Sequence, residues 1–293
     1  MVLEYANSIV HAADLRTHLF SLYEEQANRK GLSTGYSSLD NVMRLNKGFL
    51  HVVTGIPGHG KSEVVDAIAV NTTLLHDWKW CFYSPENFPI ELHLMKLIEK
   101  YVGKNKSKLT KNELIDAYLW ASEHFTWVYP KEGQGTDLDS ILELVDAAGE
   151  FDAVVIDPWG EVDSSPYSNL SETEYIKQSL SKTRRFARQR KQAFFIVAHP
   201  TKLQKDKDGR YPIPDGYSIS GSAHWRNLSD MLFVVHREDP NANKASIYVG
   251  KVKQKDYGMI GMTTLDYDYA SGRFKDEFSP DFILPTNEIE SPF

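Results

Sequence analysis

One cysteine, Cys81, is all that the 293 residues hold. It lies in an apolar run, so no disulfide framework is available, and this usage fits a reducing cytoplasm. No apolar stretch reaches the length of about 18 residues that a spanning helix requires, and no secretory leader is visible, so no membrane is expected. An excess of positive charge is missing too. The net charge of −7 argues against a chain coated with nucleic acid while permitting a local basic channel. Repeats and low-complexity segments are absent. What is present is a length and a hydrophobic content of 41% that support one sizeable α/β core with extensions.

Against that background one string stands out, Gly55-Ile56-Pro57-Gly58-His59-Gly60-Lys61-Ser62. It spells GxxxxGK[ST] after an apolar strand-like run, Phe49 to Val53, and before a helical run, Glu63 to Leu75. Such a turn offers a row of backbone N–H groups and the positive end of a helix to a polyphosphate. Glycines allow the chain to curl into that nest. Lys61 would reach the β and γ phosphates of ATP, and Ser62 would hold Mg²⁺.

Periodicity predicts strands at about 48–54, 79–84, 126–129, 151–157, 192–199, 230–237, 245–252 and 258–267, with helices at about 61–75, 88–103, 110–124, 137–149 and 171–190. Alternation up to residue 199 implies βαβ units and a parallel sheet, and the closing strands imply an antiparallel edge. An amphipathic helix near Asn7 to Lys30, with Ile9, Ala12, Leu15, Leu19 and Leu22 at helical spacing, stands apart from this core. Gly31 to Asp40 reads as a linker into a short helix.

Three strand ends carry polar groups. Phe151 to Asp157 is an apolar strand closing on an acid, which would bind Mg²⁺ opposite Ser62 or else merely cap a buried strand. The long separation from Lys61 leaves room for an extra strand and helices, the layout of the RecA-like class. The strand before Ser84-Pro85-Glu86-Asn87 delivers a carboxylate to the sheet edge where ligands sit. Glu86 there can orient or deprotonate the water attacking the γ-phosphate, or simply open the next helix. His199 closes Phe194 to Ala198, where it can sense the γ-phosphate.

Gly31 to Asp40, the glycine-rich turn, the Ser-Pro-Glu strand end, the Asp157 strand, Ala198-His199-Pro200, and Gly221-Ser222-Ala223 followed by Leu228-Ser229-Asp230 occur in one order. Together they resemble the RecA-like motor of DnaB-family hexameric replicative helicases, most of all the helicase half of phage primase-helicases and of Twinkle. The similarity runs over about residues 8 to 275. It implies a P-loop NTPase fold with a central, mostly parallel twisted sheet, helices on both faces and an antiparallel C-terminal edge. Three parts follow, an oligomerisation arm at 1–30, the motor at 31–275 and an acidic tail at 276–293.

The resemblance also implies roles: Lys61 and Ser62 at phosphate and Mg²⁺, Glu86 as catalytic carboxylate, Asp157 as the metal-side acid, His199 as sensor, and Arg237 and Tyr267 flanking adenine. The family inserts an arginine finger into the neighbouring subunit from a strand reading Lys-x-Arg, where this chain has Lys251-Val252-Lys253. Lysine lacks the planar fork of arginine. Either Lys253 is a weaker finger, or Lys251 does the work, or hydrolysis is slow.

A basic loop with Lys202, Lys205, Lys207 and Arg210 suits DNA phosphates. Ser220 to Asn227, with Arg226, matches the family's second channel loop, and Trp225 there either stacks on a base or belongs to the core. The tail is acidic, has no Lys or Arg after Lys275, and ends in Ser291-Pro292-Phe293. It resembles docking peptides offered to a polymerase or a single-strand-binding protein. The expected function is an ATP-driven, ring-forming helicase motor on single-stranded DNA, in phage or mobile-element replication within a bacterial host cytoplasm. A RecA-like recombinase or mediator, an ATP-dependent switch or helicase-loading factor, and an excised motor domain stay open.

Overall fold

Residue alternation along the apolar strands decides the layering. In a strand, successive side chains face opposite sides, so a run buried throughout must be covered on both. β1 (Leu50–Thr54), β2 (Trp80–Tyr83), β4 (Ala153–Ile156), β5 (Ala193–Ala198) and β6 (Met231–His236) are buried at every position. The computed structural model, which describes residues 10–24, 31–205, 207, 211–239 and 242–276, meets that demand with two cores. One face gathers Val53, Phe82, Val155, Phe195 and Phe233 under α3 (Lys61–His76), α4 (Ile90–Val102) and α5 (Lys111–His124). The other gathers Val52, Val154, Ile156, Ile196 and Leu232 under α6 (Leu138–Ala148) and α7 (Glu172–Arg190).

The sheet has nine strands in the order β3-β2-β4-β5-β1-β6-β7-β8-β9, with β3 at Phe125–Trp127, β7 at Lys244–Val252, β8 at Gly261–Tyr267 and β9 at Phe274–Lys275. Strands β3 to β6 in that order are parallel, and β7 to β9 are antiparallel. The expected sheet and its antiparallel edge are therefore present, with one correction. β6 was grouped with the antiparallel strands, yet it pairs parallel to β1. The reason is the connection from residue 199 to 230, which carries a short helix, α8 (His224–Leu228), and is long enough to cross back over the sheet.

Caps place the outer helices where the sequence signals them. Thr110 and Ser171 each close a capping box with the glutamate three residues on, and Asp137 accepts from the N–H groups of Asp139 and Ser140. The short helix expected after Gly31 is present as α2, at Ser37–Asp40, but the segment before it is not a free linker: Leu32 bridges Leu45, and Thr34 and Tyr36 are buried. Of the N-terminal arm, Ala12–Leu15 is a 3-10 turn and α1 covers Arg16–Glu24. Leu19, Phe20 and Tyr23 are exposed there. Ile9 and the Leu22 side chain lie outside the described residues. Asp276, assigned above to the tail, is instead buried, accepting from the Ser38 N–H at 2.7 Å. The remainder of the tail lies outside the described residues. Among the described residues no helix is long and apolar enough to cross a membrane.

Candidate active site

Five neighbouring parallel strands end on one edge. In spatial order β2-β4-β5-β1-β6 they lead into Glu86, Asp157, His199, the 55–62 turn and Arg237. In register, Tyr83 pairs with Ile156, Ile156 with Ile196, and Thr54 with both Ala198 and Val234. The carboxyl edge of an open α/β sheet is where such folds place a ligand.

Backbone geometry explains the glycines of the turn. At Gly55 an added Cβ would lie 2.2 Å from the Val235 carbonyl oxygen, so any other residue would push β1 off β6. Gly60 adopts φ 89°, the left-handed region, and immediately precedes α3. A Cβ on Gly58 or Gly60 would meet nothing within 4 Å, so both residues face open space. Pro57 and Gly58 are exposed. The buried Lys61 ammonium donates to the carbonyls of Gly55 at 2.9 Å and Ile56 at 3.3 Å. Burial lowers the Lys61 pKa, and the charges of Asp157 and Glu86 oppose that shift.

Opposite Lys61, burial pushes the Asp157 carboxyl up to about 6, with a hydrogen bond from Ser62 pulling the other way and the Asp66 and Glu86 carboxylates adding to the rise. A buried acid taking a hydrogen bond from a serine hydroxyl is a hard-oxygen, anionic pair suited to Mg²⁺. The described residues contain no cluster of three or more His, Cys, Asp or Glu able to enclose a metal alone. That agrees with how Mg²⁺ is commonly held, by one or two protein oxygens plus phosphate and water. Glu86 is exposed in a 3-10 turn, Pro85–Asn87. His199 keeps its buried Nδ1 without a partner, and its pKa is lowered by burial and by Lys61.

The opposite rim is aromatic and basic. The Arg237 N–H donates to His59 Nδ1 at 2.9 Å, which fixes that ring as an acceptor there. Burial, His236 and nearby cations hold the His59 imidazole near 4, neutral. The Arg237 guanidinium reaches the Tyr269 hydroxyl at 2.6 Å, and Tyr269 stands edge-on to Tyr267 with centroids 5.0 Å apart. The sequence reading named Arg237 and Tyr267 and missed Tyr269, whose signal was the tyrosine spacing alone.

Other expected site residues lie elsewhere. Lys251 donates to the carbonyls of Arg226, Asn227 and Ser229, capping α8, and Lys253 pairs with buried Asp230 at 3.1 Å while its side chain stays 43% exposed. Trp225 is core: it is buried, donates to Ser220 O at 2.9 Å and packs edge-on against Trp159. Arg226 stacks on Tyr217 and donates to its hydroxyl at 3.0 Å. Lys202, Lys205 and Lys207 are exposed on irregular chain. Arg210 lies outside the described residues.

No protein-family model matches the chain. It is 35% identical over 262 residues to the Twinkle homolog protein, chloroplastic/mitochondrial, of Arabidopsis thaliana, an alignment covering 84% of this chain and 36% of that protein. The chain thus spans about a third of the length of the curated relative it matches. A DnaB-like replicative helicase structure superposes with TM-score 0.74 at 17% identity, covering 92% of this chain and 68% of that one. The RadB recombinase superposes with TM-score 0.56 at 14% identity, covering 84% and 99%. With the motifs in order at one sheet edge and a Twinkle homolog aligned over 84% of this chain, the chain is similar in sequence and fold to the DnaB-family RecA-like motors.

Proposed function

We propose that this chain is an ATP-driven DNA helicase motor that assembles as a ring, hexameric by its family, translocates on single-stranded DNA and works in the cytoplasm. The observation that carries this is the convergence of Lys61, Ser62, Glu86, Asp157 and His199 at the ends of four adjacent parallel strands. ATP's phosphates lie against the N–H groups of Gly58 to Ser62, with Lys61 turning its ammonium from backbone carbonyls to the β and γ oxygens. Ser62 and Asp157 hold Mg²⁺, which supplies charge neutralisation at the phosphates. Glu86 orients the attacking water, and the free Nδ1 of His199 meets the γ-phosphate. Arg237, Tyr267 and Tyr269 contact the base. Lys202, Lys205, Lys207, Arg210 and Arg226 face the DNA backbone, and Lys253 reaches a neighbour's site.

A strand-displacement assay on a forked duplex with ATP, run beside DNA-stimulated hydrolysis, tests the reading. Unwinding coupled to hydrolysis is expected. Hydrolysis without unwinding would favour an ATP-dependent switch or loading factor, a reading supported by Lys251 and Lys253 being tied to α8 and Asp230. ATP-dependent filaments in electron micrographs would favour a recombinase.

A further inference from the structure

Between the 55–62 turn and Glu86 runs a chain of polar side chains to which no role has yet been given. Glu63 directly follows Ser62 and faces α4 and β8 at once. Its Oε1 pairs with Lys96 Nζ at 3.4 Å, while its Oε2 takes Lys100 and the Tyr267 hydroxyl, the latter at 3.2 Å. Lys96 also donates to Asn87 Oδ1 at 3.1 Å, and Asn87 Nδ2 donates to Ser84 Oγ at 2.8 Å. An ammonium cannot accept, so Lys96 forces the amide oxygen of Asn87 toward itself and the NH₂ toward Ser84. The Asn87 N–H to Ser84 carbonyl bond, 3.1 Å, closes the same turn from the backbone. Glu86 sits inside this clamped turn, exposed.

We propose that Glu63 and Lys96 are positioning residues that hold Glu86 at a fixed distance from Lys61 and Ser62, so that the water-orienting carboxylate and the phosphate cradle move as one body. The inference rests on the ATPase reading. Lys96 touches neither phosphate nor water; it acts through Asn87 on the turn that carries Glu86. Because Glu63 divides its two oxygens between Lys96 and Tyr267, the same residue ties the base side of the site to the hydrolytic side.

The test is steady-state ATP hydrolysis by the full chain with single-stranded DNA. Lys96→Met keeps the length of the side chain and removes its donors. Misplacing a reacting group by about 1 Å costs up to about 10²-fold, so kcat is expected to fall about tenfold or more while KM for ATP stays within about twofold. Lys96→Arg, which can still donate to both Glu63 and Asn87, should recover most of the rate. In a Glu86→Gln background, Lys96→Met should change the residual rate less than about twofold, because the group it positions is already gone. An unchanged kcat, a raised KM alone, or an undiminished loss in the Glu86→Gln background would each overturn the inference. An inactive wild-type chain would overturn the ATPase reading and this inference with it.

Discussion

Lys61 and Glu86 approach the same small volume from different strands, and their removal separates binding from turnover. Lys61→Ala deletes a buried cation that would meet the phosphates, a charge-assisted contact of about 1.5–3 kcal/mol. Calorimetric titration should show ATP binding about 10- to 100-fold weaker, with hydrolysis abolished. Glu86→Gln leaves the cradle intact, so binding should survive while turnover falls by about 10² or more; wild-type turnover in this variant would remove Glu86 from its role. A different residue contributes to acid stability. His51, fully buried in β1, stacks on Phe195 at 4.5 Å and is held by burial to about 4. Its folded-state pKa lies below the unfolded value of 6.5, so the unfolded chain binds the extra proton. Its contribution is complete above pH 6.5 and is lost as pH falls toward 4, by about 3 kcal/mol. His51→Phe keeps the stack and should flatten that part of the acid limb in urea unfolding measured at stepwise pH.

At the scale of elements, Lys251 in β7 and Lys253 just past its end are two lysines that the sequence could not tell apart. Lys251 satisfies three carbonyls at the end of α8. Lys251→Ala should therefore cost about 1–2 kcal/mol of stability in chemical denaturation. Lys253→Ala should cost less, because buried Asp230 keeps Arg188 at 3.1 Å and the Leu50 N–H at 3.1 Å. Equal losses would mean that the two lysines share one structural task. The contrast shows what was legible beforehand. Strand ends bearing Lys61, Glu86, Asp157 and His199 could be read because each is a contiguous string whose apolar run names its own strand. The parallel pairing of β6 could not, since its partner lies about 180 residues away in β1. Nor could the placement of Trp225 in the core or the Glu63–Lys96–Asn87 chain, because both arise only once α4, α7 and the sheet are stacked together. The two-residue strand β9 was missed because so short a run has no periodicity to detect.

For the molecule as a whole, the ring reading makes a demand on pairs of subunits. If Lys253 completes a neighbour's site, mixing Lys253→Ala subunits with Lys61→Ala subunits should restore some active interfaces, and no recovery at any ratio with both variants assembled would sink the trans contact. Lys253→Arg should raise turnover, since a planar fork suits phosphate. Beyond the motor, residues 277–293 carry Glu277, Asp281, Glu288 and Glu290 with no basic residue, a composition suited to docking on a basic partner. The anchored Asp276 sets where the cut belongs: removing 277–293 leaves its bond to Ser38 in place. The truncated protein should keep its ATPase. It should bind DNA more tightly at low salt, because four negative charges that repel the phosphates are gone. Capture of a polymerase or single-strand-binding protein should weaken, with the difference between full-length and truncated chains shrinking as ionic strength shortens the Debye length below about 10 Å. Unchanged capture and unchanged DNA affinity in titrations across a salt series would show the segment to be a solvated end with no partner.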